Sequence, residues 1–143
     1  MTFFFYVKCL FFIIFHIEVN GTKIQVKLYD NSSAAAVKEL LKKGPLTIPM
    51  KDYAHMEKFG SFGVQLPTND ERTTTEAGDV ILSEGNLLVL YYAPNTWNFT
   101  RLGRVRNLSE AELRAVPGKG DITATLTLSD EDDIVISAHS EKI

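Results

Sequence analysis

Two residues early in the chain, Asn20-Gly21, restrict the fold more than any others. Both central positions of a type I′ turn need positive φ, which Asn and Gly adopt at least cost, so the pair closes a β-hairpin when extended runs flank it. Such runs are present. Ile13 to Val19 is built from strand-forming residues. On the other side, Thr22 to Tyr29 alternates: Ile24, Val26 and Leu28 face one way, and Lys23, Gln25 and Lys27 the other, as in a half-buried strand.

The rest of the chain continues in short pieces. Asp30-Asn31-Ser32-Ser33 is rich in N-capping residues. A helix is predicted over 34–43, with Ala36, Val37, Leu40 and Leu41 on one face and Gly44-Pro45 as its stop. Leu46 to Met50 reads as a short strand that Pro49 confines to an edge or a bulge. From Lys51 to Gly78 the pattern breaks down into loops, with one short strand near Phe62 to Leu66. Asp79 to Leu82 and Leu87 to Tyr92 read as strands, the second apolar without alternation and therefore buried on both faces. Pro94-Asn95-Thr96 opens a loop that carries Trp97. A strand over 100–106 follows, with Gly103 marking a bulge or a close backbone approach. Ser109 and Glu112 form a capping box for a second short helix. Asp121 to Leu128 is a last alternating strand. About seven short strands with only two helices point to a mainly β fold, a small closed barrel, and exclude a βαβ sheet.

Composition sets limits around this reading. A chain of 143 residues with 45% hydrophobic and 23% charged residues suits one globular domain. A formal charge of −3 and no basic face interleaved with aromatics speak against a nucleic-acid partner. Cys9 is the only cysteine and cannot form an internal disulfide, while His16, His55 and His139 share no metal-ligand spacing. No P-loop, nucleophile elbow, His-Glu-x-x-His or dinucleotide fingerprint occurs, so no metal and no cofactor is expected. Met1 to Ile17 is almost wholly apolar apart from Lys8 and His16. It is too short and too interrupted for a stable membrane span. Its first part, residues 1–16, is read as an extension, either an export signal without a cleavage site or an over-extended start. Localisation is undetermined, with a cytoplasmic reading ahead of an exported one. The barrel domain is assigned to 17–128, and 129–143, which holds the acidic run Asp130-Glu131-Asp132-Asp133, to a mobile tail. The oligomeric state is unknown.

The segments Leu28-Tyr29-Asp30-Asn31, Pro45-Leu46-Thr47, Met50-Lys51-Asp52, Glu57-Lys58, Leu66-Pro67-Thr68, Ala77-Gly78-Asp79, Leu90-Tyr91-Tyr92 and Thr100-Arg101-Leu102-Gly103-Arg104 recur in an order that resembles the small, mostly bacterial cyclophilin-like proteins. The resemblance covers about residues 17 to 128. It implies a β-barrel with a helix at each end and no established activity. True cyclophilins place an arginine beside a proline pocket framed by Phe-x-x-Gln-Gly-Gly. Here Phe62-Gly63-Val64-Gln65 is followed by Leu66-Pro67, and neither Arg72 nor Arg101 sits in the matching local pattern.

The remaining candidate is a polar and aromatic group in and beside the irregular region: Asp52, Tyr53, Glu57, Lys58, Tyr92, Trp97 and Arg101. Tyr53, Glu57, Tyr92, Trp97 and Arg101 are taken as ligand-binding residues at a barrel mouth, with Glu57 paired to an inward Arg101. The competing reading is a purely structural ion pair with the aromatics as packing. The function expected is a non-catalytic module for a small molecule or peptide. The alternative is a prolyl-isomerase-like enzyme.

Overall fold

The computed structural model describes residues 6–129 and 135–141, the end segments 6–12 and 135–141 by backbone alone. Strands are numbered in chain order: β1 (Tyr6–Phe12), β2 (Ile14–Val19), β3 (Thr22–Leu28), β4 (Leu46–Tyr53), β5 (Glu57–Ser61), β6 (Glu71–Thr74), β7 (Asp79–Ser83), β8 (Leu87–Tyr91), β9 (Thr96–Val105), β10 (Ile122–Leu128) and β11 (Val135–Glu141). The two helices are α1 (Ser32–Lys42) and α2 (Glu110–Ala115).

Eight strands close into an antiparallel barrel in the order β3-β2-β10-β4-β5-β8-β7-β9, with β9 returning to β3 through Val26↔Val105 and Leu28↔Gly103. Strand β6 hangs on the outer side of β9 through Glu71↔Phe99 to Thr74↔Thr96. The apolar start and the tail are joined as a separate two-stranded ribbon, β1 with β11. The acidic run from Asp130 to Asp133 lies outside the described residues, as does the side chain of Cys9.

The hairpin forms as expected: Asn20 and Gly21 have φ of 51° and 80°, and Val19 pairs with Thr22. Helix α1 is capped by Asn31, whose side chain accepts from the Ala34 N–H. Helix α2 has both bonds of the capping box between Ser109 and Glu112. Val37 and Leu41 of α1 and Leu113 of α2 reach the same interior core as Phe15, Ile24 and Leu126.

The sequence expectations fail at three places. The stretch 51–78 contains two strands, β5 and β6, and neither is centred on Phe62 to Leu66. The inward positions of β5 are Lys58 and Gly60, so it carries no apolar alternation to read. Pro49 does not mark an edge: β4 lies between β10 and β5, and Pro49, opposite Thr123, stands just beyond the end of the β4–β5 ladder at Lys51↔Phe59. Trp97 belongs to strand β9 rather than to a loop. The bulge expected near Gly103 is present, since Val80 faces Gly103 and Ile81 faces Arg101, leaving Leu102 as the extra residue. It turns Leu102 and Val105 into the core and leaves Arg101 exposed. A Cβ on Gly103 would come within 2.4 Å of the Lys27 carbonyl oxygen, so only glycine lets β9 approach β3 here.

Candidate functional site

Strands β5, β8, β7 and β9 form a wall packed on both sides. Its inner face contributes Val80, Leu82, Leu88 and Leu90 to the barrel core. Its outer face carries a second apolar cluster, Ile81, Val89, Tyr91 and Phe99, flanked by Met56, Phe59 and Leu87. An open cleft of about 420 Å³ lies on this outer cluster. Phe59, Val89, Tyr91 and Phe99 line it from the wall, and Tyr53 and Trp97 stand beside them with 58% and 62% of their surfaces exposed.

Register explains the grouping. Tyr53 is directly opposite Glu57, and Glu57 opposite Tyr91, so one row across β4, β5 and β8 brings a carboxyl between two phenols. Tyr53 packs edge-on against Phe59 at 6.3 Å between centroids, and Tyr91 packs tilted against Phe99 at 5.6 Å. Asn95 Nδ2 donates to the Tyr91 hydroxyl at 3.1 Å, and the interaction of that hydroxyl with Glu57 favours the ionised carboxyl. The second carboxyl oxygen of Glu57, Oε2, is buried without a hydrogen-bond partner. Burial pushes the Glu57 carboxyl above its ordinary range; the Tyr91 bond opposes this and the nearby Asp52 charge adds to it. Burial, with the bond to Glu57, also pushes the Tyr91 hydroxyl well up.

A second polar group occupies the interior side of the same strands. Lys58 is fully buried (0% exposed), and its ammonium donates to the Gly120 carbonyl at 2.6 Å and pairs with Asp52 Oδ1 at 3.1 Å. The Tyr92 hydroxyl donates to the same carboxylate oxygen, and His55 Nδ1 lies 3.4 Å from the other. Burial opposes ionisation of Asp52, but the bonds from Tyr92 and Lys58 and the Lys58 charge outweigh it, so the carboxyl sits below its ordinary range.

The five residues expected at one barrel mouth are therefore distributed over three places. Tyr53, Glu57 and Trp97 meet at the outer cleft. Tyr92 belongs to the Asp52–Lys58 network. Arg101 lies on a third surface with Tyr29, Thr74, Glu76, Asp79 and Arg104, and the expected Glu57–Arg101 pair does not form. On that surface Asp79 is matched by Arg104 at 2.7 Å. Tyr91, Phe59, Phe99 and Asn95 escaped the sequence reading. The unalternating run at 87–92 signalled that Tyr91 would be buried on the wall, but the strand pairing that sets it beside Glu57 has no local signature.

The sequence profile described as the cyclophilin-like family matches residues 17–127. The chain belongs to the cyclophilin-like family. In structure this cyclophilin-like protein is similar to the solution structure of a hypothetical protein from Archaeoglobus fulgidus, with a TM-score of 0.62 and 15% identity. The similarity covers 82% of this chain and 95% of the archaeal one, and at that identity it concerns the fold. No curated protein matches the sequence. Among the described residues, no helix is long and apolar enough to cross a membrane.

Proposed function

We propose that this cyclophilin-like protein is a non-catalytic binding module whose site is the outer cleft on the β5-β8-β7-β9 wall. One observation carries the reading. Among the described residues three large hydrophobic side chains are exposed, and two of them, Tyr53 and Trp97, stand together at this cleft above three further rings. Scattered apolar residues on a surface need no explanation, whereas a concave aromatic group with convergent polar atoms is how small-molecule sites are built. The cleft volume lies within the usual range for such sites, about 300–1,000 Å³. No arginine or lysine lines the cleft, so the guanidinium that a prolyl isomerase sets beside its pocket has no counterpart there.

Mapping of backbone amide shifts tests this. The protein is titrated with a set of amphipathic aromatic fragments and with a proline-containing tetrapeptide. Shifts should cluster on β5, β8, β9 and the end of β4 at Tyr53, with no acceleration of proline isomerisation. Perturbations confined to another surface would overturn the assignment. Isomerisation that is accelerated by the protein and abolished by Trp97→Ala would replace it with the enzymatic reading.

A further inference from the structure

The outer cleft has a charge pattern as well as a shape. Two carboxyl groups line it, Glu57 from β5 and Glu84 from the β7–β8 turn, together with the rings of Tyr53, Phe59, Tyr91, Trp97 and Phe99. The nearby lysines do not offset them. Lys58 points through the wall into the barrel and is matched by Asp52. Lys51, opposite Phe59 in the ladder, is exposed and outside the lining.

We propose that the cleft takes a small organic cation, an alkylated or quaternary ammonium group, settled among the aromatic rings beside Glu57. The proposal rests on the reading of this cleft as a binding site and adds the chemistry of its occupant. An anion would meet two carboxyl groups and no cation among the lining residues. A neutral apolar molecule would cover the rings but deepen the burial of Glu57, whose Oε2 already has no hydrogen-bond partner. A cation satisfies both features at once. Its charge is attracted by the electron-rich faces of Trp and Tyr, most strongly where water is excluded. The same charge compensates a partly buried carboxylate at short range, in a medium where Coulomb forces exceed those in water. An alkylated ammonium is favoured over an inorganic ion because five rings reward apolar surface on the cation itself.

The experiment uses the full chain and its single tryptophan, Trp97, as the reporter. Choline and its uncharged carbon isostere, 3,3-dimethyl-1-butanol, are titrated separately at fixed ionic strength while Trp97 emission is followed. Choline should shift the emission saturably, and the isostere should bind on the order of 10-fold more weakly, as expected for a partly desolvated cation–π site. Glu57→Gln, nearly isosteric, should weaken choline and leave the isostere unchanged. Should that variant fail to fold, the comparison of the two ligands on the unaltered protein decides alone. Equal affinity for both ligands would overturn the cationic assignment and leave the cleft as a binding site. Binding of neither would likewise overturn the cationic assignment, and the fragment mapping then decides separately whether the cleft binds at all. A trimethyllysine tripeptide that bound far more tightly than choline would overturn the assignment to a free small molecule.

Discussion

The charge pair inside the barrel is expected to be necessary as a pair and dispensable as a whole. Asp52→Asn removes the negative charge that faces the Lys58 ammonium at 3.1 Å and leaves that ammonium, with no solvent exposure, only neutral oxygens such as the Gly120 carbonyl. Stranding one member of a buried pair costs about 3–5 kcal/mol, and the partial exposure of Asp52, 13% of its side chain, puts the expected loss at the lower end. Lys58→Met instead removes the buried charge and keeps most of the stem volume. Asp52 then retains the Tyr92 hydroxyl and some contact with solvent, so the loss should be about 1–2 kcal/mol, within the common range for single substitutions. The double variant should be less destabilised than the sum of the two by about 1–3 kcal/mol, the coupling expected of contacting charges. Urea unfolding at neutral pH, followed by far-ultraviolet circular dichroism and Trp97 emission, measures all three. The acid limb supplies an independent sign. Asp52 is held below its ordinary value of 3.8, so its contribution is present above that pH and is lost as the pH falls below it. Asp52→Asn should flatten that part of the stability curve. Strict additivity, or an Asp52→Asn variant as stable as the parent, would refute the argument.

Three further outcomes follow from the fold. Gly103→Ala should destabilise the barrel by several kcal/mol, because the new Cβ would meet the Lys27 carbonyl at 2.4 Å and force β9 from β3; the shift in the urea midpoint checks it. Arg101→Ala should change stability by less than about 0.5 kcal/mol, since its side chain is exposed and makes no ion pair among the described residues. Thermal melting would detect the loss expected of an inward, paired arginine. Deletion of Met1 to Phe11 should leave a folded barrel, because the closed ladder begins at Ile14 and, among the described residues, β1 pairs with β11 outside that ladder; dispersed amide resonances would show it.

What could be read before the structure depended on whether the information was local. The Asn20-Gly21 turn, the capped ends of α1 and α2, and the alternation of β3 and β10 are each written within a few residues, and each formed as expected. The apolar run of β8 announced a strand covered on both sides. Strand β5 stayed hidden because a lysine and a glycine hold its inward positions, and burial of Lys58 depends on Asp52 and Gly120, six and sixty-two positions away. The orientation of Arg101 turned on one extra residue in β9, since a single bulge reverses the face of everything beyond it. The candidate site was half legible for the same reason. Tyr53, Glu57 and Trp97 stood out by type, but Tyr91 joins them only through the β5–β8 register.

The wall beneath the cleft also determines how the site moves. Val89 and Tyr91 project outward from the strand whose Leu88 and Leu90 fill the barrel core, so neither face of β8 can open without disrupting packing on the other. Amide exchange on β8 should therefore require opening close to global unfolding, while Tyr53 and Trp97, more than half exposed at the cleft, should reorient far sooner, on the timescale of side-chain rotation. A molecule settling there would meet a rigid floor and two mobile rings. The entropy cost of its capture would fall on those two side chains, each with only two rotatable angles, and exchange of one occupant for another would need no breathing of the barrel.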